Sequence, residues 1–196
     1  MISYLLAHPD TSQIEIAREL NTSADLVNHV TKELEFPGIV EQKSRGHLEL
    51  KDPLRLLEAL SVERPLSKLL LARIRTEQSD VHVVERSMAD GRSAGDYALT
   101  AFSALARYTQ YYITYPTIHV YADRPGDIAK GIRPGRGDVA VDVLRPDSEA
   151  ILHNARELEG VRVVEPIQAV IDLFCLGGPG RDGALKLYHQ ITEGKS

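Results

Sequence analysis

The chain has one cysteine, Cys175, no tryptophan, and no apolar run near the roughly 18 residues that a membrane span requires. A single thiol excludes an intrachain disulfide framework, and with it the small stapled scaffolds of secreted proteins. Residues 1–9 carry neither a basic segment nor a small-residue cleavage site, so no secretory leader or membrane anchor is expected. The expected compartment is therefore the reducing cytoplasm. Basic excess is missing too: Lys and Arg number 23 against 28 Asp and Glu, a formal net charge of −5 over 196 residues. The chain as a whole is not a non-specific nucleic-acid binder, and any DNA contact must come from a local patch or from two copies together. Seven histidines are scattered without metal-ligand spacing, and neither a metal nor a cofactor is expected. The Gly-rich stretch 177–183 lacks the Gly-Lys-Ser/Thr ending of a phosphate-gripping loop. A helix C-cap followed by an N-cap accounts for it.

What is present is a sequence of local signals in a definite order. Residues 2–7 predict a short helix stopped by Pro9, and Thr11-Ser12 caps a second helix with Ile14, Ala17 and Leu20 on one face. Thr22-Ser23 caps a third, whose stripe is Leu26, Val27, Val30 and Leu34, and Pro37-Gly38 closes it. Two alternating segments, 39–43 and 47–51, flank Ser44-Arg45-Gly46 and predict a β-hairpin. Helix, turn, helix and basic-tipped hairpin make the order of a winged helix-turn-helix, which places a DNA-binding domain at residues 1–52. In such a module the start of the third helix meets base edges, so Thr22, Ser23, Asp25, Asn28, His29 and Lys32 are the candidate readers. Asn28 leads them, because an amide bonds adenine in a bidentate way. Lys43, Arg45 and His47 on the hairpin are the candidate phosphate or minor-groove contacts. The same unit can also serve as a protein-interaction adaptor, and Asp10, Glu15, Glu19, Asp25, Glu33, Glu35, Glu41 and Glu49 keep that alternative open.

Asp52-Pro53 marks a boundary. Leu54, Leu56, Leu57 and Leu60, and after Pro65 Leu66, Leu69, Leu70 and Ile74, recur at helical spacing and predict a helical bridge over residues 53–92. It ends in a short strand at Val81, Val83 and Val84 and a polar loop at 88–95. Residues 93–196 predict a mixed α/β domain, and the fold class expected for the chain is α+β. Its elements are a helix over 101–107, strands over 111–115, 117–121, 138–144 and 161–164, and helices over 166–176 and 182–191. The connection at 125–137 is rich in Gly, Pro and Arg. Tyr108, Tyr111, Tyr112, Tyr115 and Tyr121 lie close in sequence to Arg107, Arg124, Lys130, Arg133 and Arg136. Either they stack and clamp single-stranded nucleic acid, with Arg124, Lys130, Arg133 and Arg136 as a second nucleic-acid or antitoxin surface, or they are the aromatic face of a sheet beside a basic loop. Asp123, Asp138, Asp142 and Glu165 fall near strand ends, where a metal-dependent nuclease would hold Mg²⁺. No Glu-x-Lys partner follows Asp138 or Asp142, ion-pair networks gather carboxylates in the same way, and no enzymatic activity is expected. Cys175 sits in an apolar run without a neighbouring histidine, as a buried structural thiol does.

Several of these segments also resemble, in the same order, the AbiEi family of type IV antitoxins. They are Gly38-Ile39-Val40-Glu41, residues 50–57, residues 97–105, His119-Val120-Tyr121-Ala122-Asp123, and residues 163–173. Gly180-Arg181-Asp182-Gly183-Ala184 is similar to the family's Arg-Gly-acid-Ala helix start. The chain departs at Ala101, where the family more often has Gly after the Leu-Thr pair. The resemblance implies a winged helix that represses its own operon on double-stranded operator DNA, joined to a domain opposing a nucleotidyltransferase-like toxin, with no need for direct toxin contact. A homodimer would double the hairpin contacts.

Overall fold

The computed structural model describes residues 1–43, 46–89, 96–109 and 114–194, and the chain divides into two compact units, Met1–Glu63 and Arg64–Ser196. In the first unit, α1 (Ile2–Ala7) buries Leu5 and Leu6 and is followed, past Pro9, by β1 (Asp10–Ser12). Ser12 starts α2 (Gln13–Glu19) with a capping box: its hydroxyl accepts from the Glu15 amide while the Glu15 carboxylate accepts from the Ser12 amide. Ser23 caps α3 (Ala24–Glu35) by accepting from the Leu26 amide. β2 (Val40–Gln42) and β3 (His47–Leu50) form the hairpin, and β1 joins it to give an antiparallel sheet in the order β1-β3-β2. Leu56 and Leu57 bury one side of α4 (Pro53–Glu63).

Two side-chain stripes differ from expectation. In α2 the buried residue is Ile16, while Ile14 is 76% exposed. In α3 Val27 and Thr31 are buried and Leu26 is half in solvent. The inward face of α2 is thus turned away from its apolar pattern, with its start fixed by the Ser12 cap, whereas α3 keeps Val27 inward with Val30 and Leu34 half-buried and turns only Leu26 out. Residues 10–12, expected only to cap α2, pair with β3 and bury the Thr11 side chain.

The second unit opens with a 3₁₀ turn (Leu66–Leu69), β4 (Leu70–Arg75) and α5 (Val81–Ala89). Then come β5 (Tyr97–Thr100), α6 (Phe102–Tyr108), β6 (Thr117–Ala122), α7 (Pro125–Gly131) and β7 (Ala140–Leu144). The chain ends with α8 (Ala150–His153), β8 (Arg156–Leu158), β9 (Val161–Val163), α9 (Pro166–Leu176) and α10 (Pro179–Glu193). The six strands lie in the order β4-β7-β6-β5-β9-β8, parallel at β6/β7 and β5/β9 and antiparallel elsewhere. Among the described residues the chain thus has ten α-helices, a three-stranded antiparallel sheet and a six-stranded mixed sheet, an α+β fold. No helix among them is long and apolar enough to cross a membrane.

The helical bridge expected over 53–92 is divided: α4 lies in the first unit, while residues 64–89 belong to the second. Residues 70–75, expected as helix, form an edge strand, because Ala72 to Arg75 alternate as well as they fit helical spacing and β7 offers a pairing partner. Val81, Val83 and Val84, expected as a strand, open helix α5; the Asp80 carboxylate accepts from the His82 amide, and Val84, Glu85 and Met88 face inward. The connection at 125–137 contains α7, begun by Pro125 at its first turn. Residues 110–113, within the strand expected at 111–115, lie outside the described residues.

Candidate functional site

On α3, Ser23, Asp25, His29 and Lys32 are exposed, and Thr22 and Asn28 are half-buried. Ser23 is committed as a cap at 3.2 Å, and His29 Nε2 stands 3.3 Å from Glu33, one turn further along. Asn28 and Lys32 have no polar side-chain partner among the described residues. Leu26 and Phe36, the latter 96% exposed, add apolar surface to the same helix and its end.

The hairpin is built around three acids. Asp10, Glu49 and Glu41 stand directly opposite one another across β1, β3 and β2, an unfavourable row of like charge. Cations on either side neutralise it: Lys43 Nζ lies 2.6 Å from Glu49, Lys51 Nζ lies 2.7 Å from Glu49 and 2.9 Å from Glu41, and His47 Nε2 contacts Asp10. Donation from Lys43, and then from Lys51, holds the Glu49 carboxyl down at about 2; the bond to Glu49 raises Lys43, and the bonds to Glu41 and then Glu49 raise Lys51. Arg45 lies outside the described residues. Every described basic residue of the hairpin is therefore already engaged by an acid. Residues 1–63 hold six Lys and Arg against eleven Asp and Glu, so the whole excess of negative charge belongs to this unit.

The second unit contains a polar core that the sequence did not single out. Asp172, on α9, is completely buried; its Oδ1 accepts from Arg64 Nη1, Tyr121 Oη and Gln168 Nε2, each at 2.9 Å, and its Oδ2 accepts from Thr100 Oγ1 at 2.6 Å. Arg64 also donates to Tyr121 Oη at 2.8 Å and to Asp147. Burial pushes the Asp172 carboxyl up, opposed by the Arg64 charge and by donation from Thr100 and Tyr121. A row of polar residues continues across the sheet, with Thr100 opposite His119, His119 opposite Asp142, and Asp142 opposite Arg73. Arg73 grips Asp142 with two bonds of 2.6 Å, and burial lowers the pKa of His119, whose Nδ1 has no partner. A lone carboxylate inside the apolar run 169–176 was the available signal for this core; its partner Arg64 is 108 residues away and gave none.

The proposed second basic surface is only partly assembled. Lys130 pairs with Asp127 at 2.9 Å, and Arg124 stands at the opposite end of α7, as its N-cap. Arg133 and Arg136 remain exposed and unpaired among the described residues, on a loop held against Arg75 and Glu77 by backbone bonds. The described tyrosines of the cluster are not free to stack on bases. Tyr121 is fully buried, Tyr115 is buried and donates to Glu85, and Tyr108 donates to the Val164 carbonyl, while Tyr111 and Tyr112 lie outside the described residues. Arg107 pairs at 2.8 Å with the fully buried Glu85. Of the candidate metal carboxylates, Asp142 is held by Arg73, Glu165 lies 3.3 Å from Arg156, and Asp123 and Asp138 are exposed. No group of three His, Cys, Asp or Glu able to hold a metal ion occurs among the described residues. Cys175 is buried, and burial raises its thiol to about 11, which suppresses the thiolate.

Compared with known proteins, the chain matches no family model, no curated protein and no solved structure.

Proposed function

We propose that the chain is a DNA-binding transcriptional regulator whose first unit is a winged helix-turn-helix acting as a homodimer on its own operator. The observation that carries this reading is the element order α1-β1-α2-α3-β2-β3, with β1 closing the sheet on β3 and Ala24, Asp25 and His29 on α3 exposed. That is the frame in which a recognition helix enters the major groove and a hairpin lies beside it. Asn28 reads a base and Lys32 and Arg45 meet phosphate, while Lys43, held on Glu49, becomes a phosphate contact only when that pair is broken. Fluorescence anisotropy with the gene's own upstream DNA tests it. Asn28→Ala is expected to weaken specific binding by about 1–3 kcal/mol while sparing non-specific binding. Absence of binding at low salt removes the reading.

We further propose that the second unit is the antitoxin part of a type IV system opposing a nucleotidyltransferase-like toxin. In its support, the segments that carry the resemblance meet in one core: Thr100, Tyr121, Gln168 and Asp172 share the buried network, and Gly183 packs against Leu105 and Leu173. Co-expression with the neighbouring toxin gene tests this part separately, growth rescue being the expected result.

A specific observation also favours the adaptor reading. The first unit is acidic, its hairpin cations are neutralised, and Ile14, Leu26 and Phe36 are exposed. Co-purification with a neighbouring gene product, together with indifference to DNA, would select it.

A further inference from the structure

We infer that the second unit carries a binding site for a small aliphatic carboxylate, in a cavity of about 270 Å³ between the end of β4, α5 and the end of α7. Val83, Val84 and Ile132 give it an apolar wall, and Gln78, Ser87 and Arg133 give it polar groups. Five arginines of this unit, Arg64, Arg73, Arg107, Arg156 and Arg162, each hold an acid. Arg133 holds none among the described residues, and its planar fork of donors matches a carboxylate bidentately.

The site is also built on fixed backbone. The Arg133 carbonyl accepts from the Glu77 amide at 3.0 Å, and the Gly135 and Gly137 amides donate to Arg75 and Thr76 at 3.0 and 2.7 Å. A Cβ at either glycine would fall within 3 Å of Glu77 backbone atoms, so the loop bearing Arg133 lies directly on the end of β4. Ser87 Oγ spends its proton on the Val84 carbonyl at 2.7 Å and is left as an acceptor, while the Gln78 side chain is uncommitted among the described residues. A ligand with its carboxylate on Arg133 and a branched alkyl group against Val83, Val84 and Ile132 satisfies both ends of the cavity.

Volume selects the class. The cavity holds the equivalent of roughly nine waters at about 30 Å³ each, which admits a branched short-chain acid and leaves no room for a nucleotide. This assignment gives Arg133 a role separate from the nucleic-acid surface expected from its sequence neighbourhood.

The experiment titrates the isotope-labelled full chain with 3-methylbutanoate, with the neutral 3-methylbutanamide, and with inorganic phosphate, following backbone amide shifts. The expected result is a saturable shift by the carboxylate at Gln78, Val83, Val84, Ser87, Ile132 and Arg133, with the amide binding about tenfold more weakly or worse. Arg133→Ala, at an exposed position, should leave the rest of the spectrum unchanged and weaken the carboxylate by about the same factor. Ser87→Leu, which fills the cavity and keeps Arg133, should abolish the shifts. Equal binding of acid and amide, an Arg133→Ala variant with unchanged affinity, phosphate as effective as the carboxylate, or no saturable shift at all would each overturn the assignment.

Discussion

Ala101 has φ 51° and ψ −124° at the turn from β5 into α6, a conformation that L side chains rarely hold. Gly178, which starts α10 with φ 49° and ψ −128°, makes the same turn with the residue type that adopts it freely. Strain at such a position costs of order 1–3 kcal/mol, whereas the buried methyl contributes about 0.8 kcal/mol and glycine loses up to about 1 kcal/mol through the unfolded chain. Strain relief is the largest of the three. Ala101→Gly is therefore expected to stabilise the second unit by up to about 1 kcal/mol, seen as a higher urea midpoint; a clearly lower midpoint would show that the strain is smaller than the roughly 1.8 kcal/mol that the lost methyl and the glycine entropy cost together. The opposite sign applies at Arg64, the only cation in contact with the fully buried Asp172 among the described bonds. Arg64→Met leaves an uncompensated charge and should cost about 3–5 kcal/mol. Combining it with Asp172→Asn should recover much of that loss, and a double variant no more stable than Arg64→Met would place the energy outside this pair.

The hairpin carries the clearest pH dependence of any element. Glu49 titrates at about 2 in the folded chain against an ordinary 4.5, so its ionised form favours the folded hairpin. That contribution is complete above about pH 4.5 and is lost as pH falls toward 2. A fall in the amide protection factors of β2 and β3 below pH 4.5, flattened by Glu49→Gln, is the expected outcome; an unchanged profile in the variant would place the acid sensitivity outside Glu49. Elements set by short-range chemistry were legible in the sequence. Ser12 and Ser23 find their amide partners three residues away, and Gly46, with φ 74°, marks the tight turn. β4 was not legible, since its strand state is decided by β7, about seventy residues further on. α5 misled for the opposite reason, because three valines speak for a strand while the single cap at Asp80 and the inward face of Val84, Glu85 and Met88 decide for a helix. At the candidate interface, the exposure of Ser23, Asp25, His29 and Lys32 followed from helical spacing, while Asn28 is half-buried. The neutralisation of Lys43 and Lys51 needed the register that sets Asp10, Glu49 and Glu41 in one row.

Charge is distributed unequally over the whole molecule: residues 64–196 hold seventeen basic and seventeen acidic residues, so the −5 lies entirely in the unit proposed to meet DNA. A duplex repels such a unit at long range, and binding must come from short-range contacts with few net phosphate neutralisations. Each neutralised phosphate steepens the dependence of log affinity on log salt by about 0.9. With Lys43 and Lys51 held on Glu49, and with Lys32 and Arg45 as the proposed phosphate contacts, the wild-type slope is expected to be shallow, about −2 per protomer. Glu49→Gln removes a negative charge from the hairpin and loosens both lysines. It should tighten DNA binding and steepen the slope by about one further unit per protomer, measured by anisotropy across a salt series. Asn28→Ala, by contrast, should lower affinity for the operator without changing the slope, because an amide releases no counterion. If Glu49→Gln leaves both affinity and slope unchanged, the hairpin lies away from the duplex. The acidic sheet row, together with the exposed Ile14 and Phe36 of the same unit, then has to be explained as surface for protein.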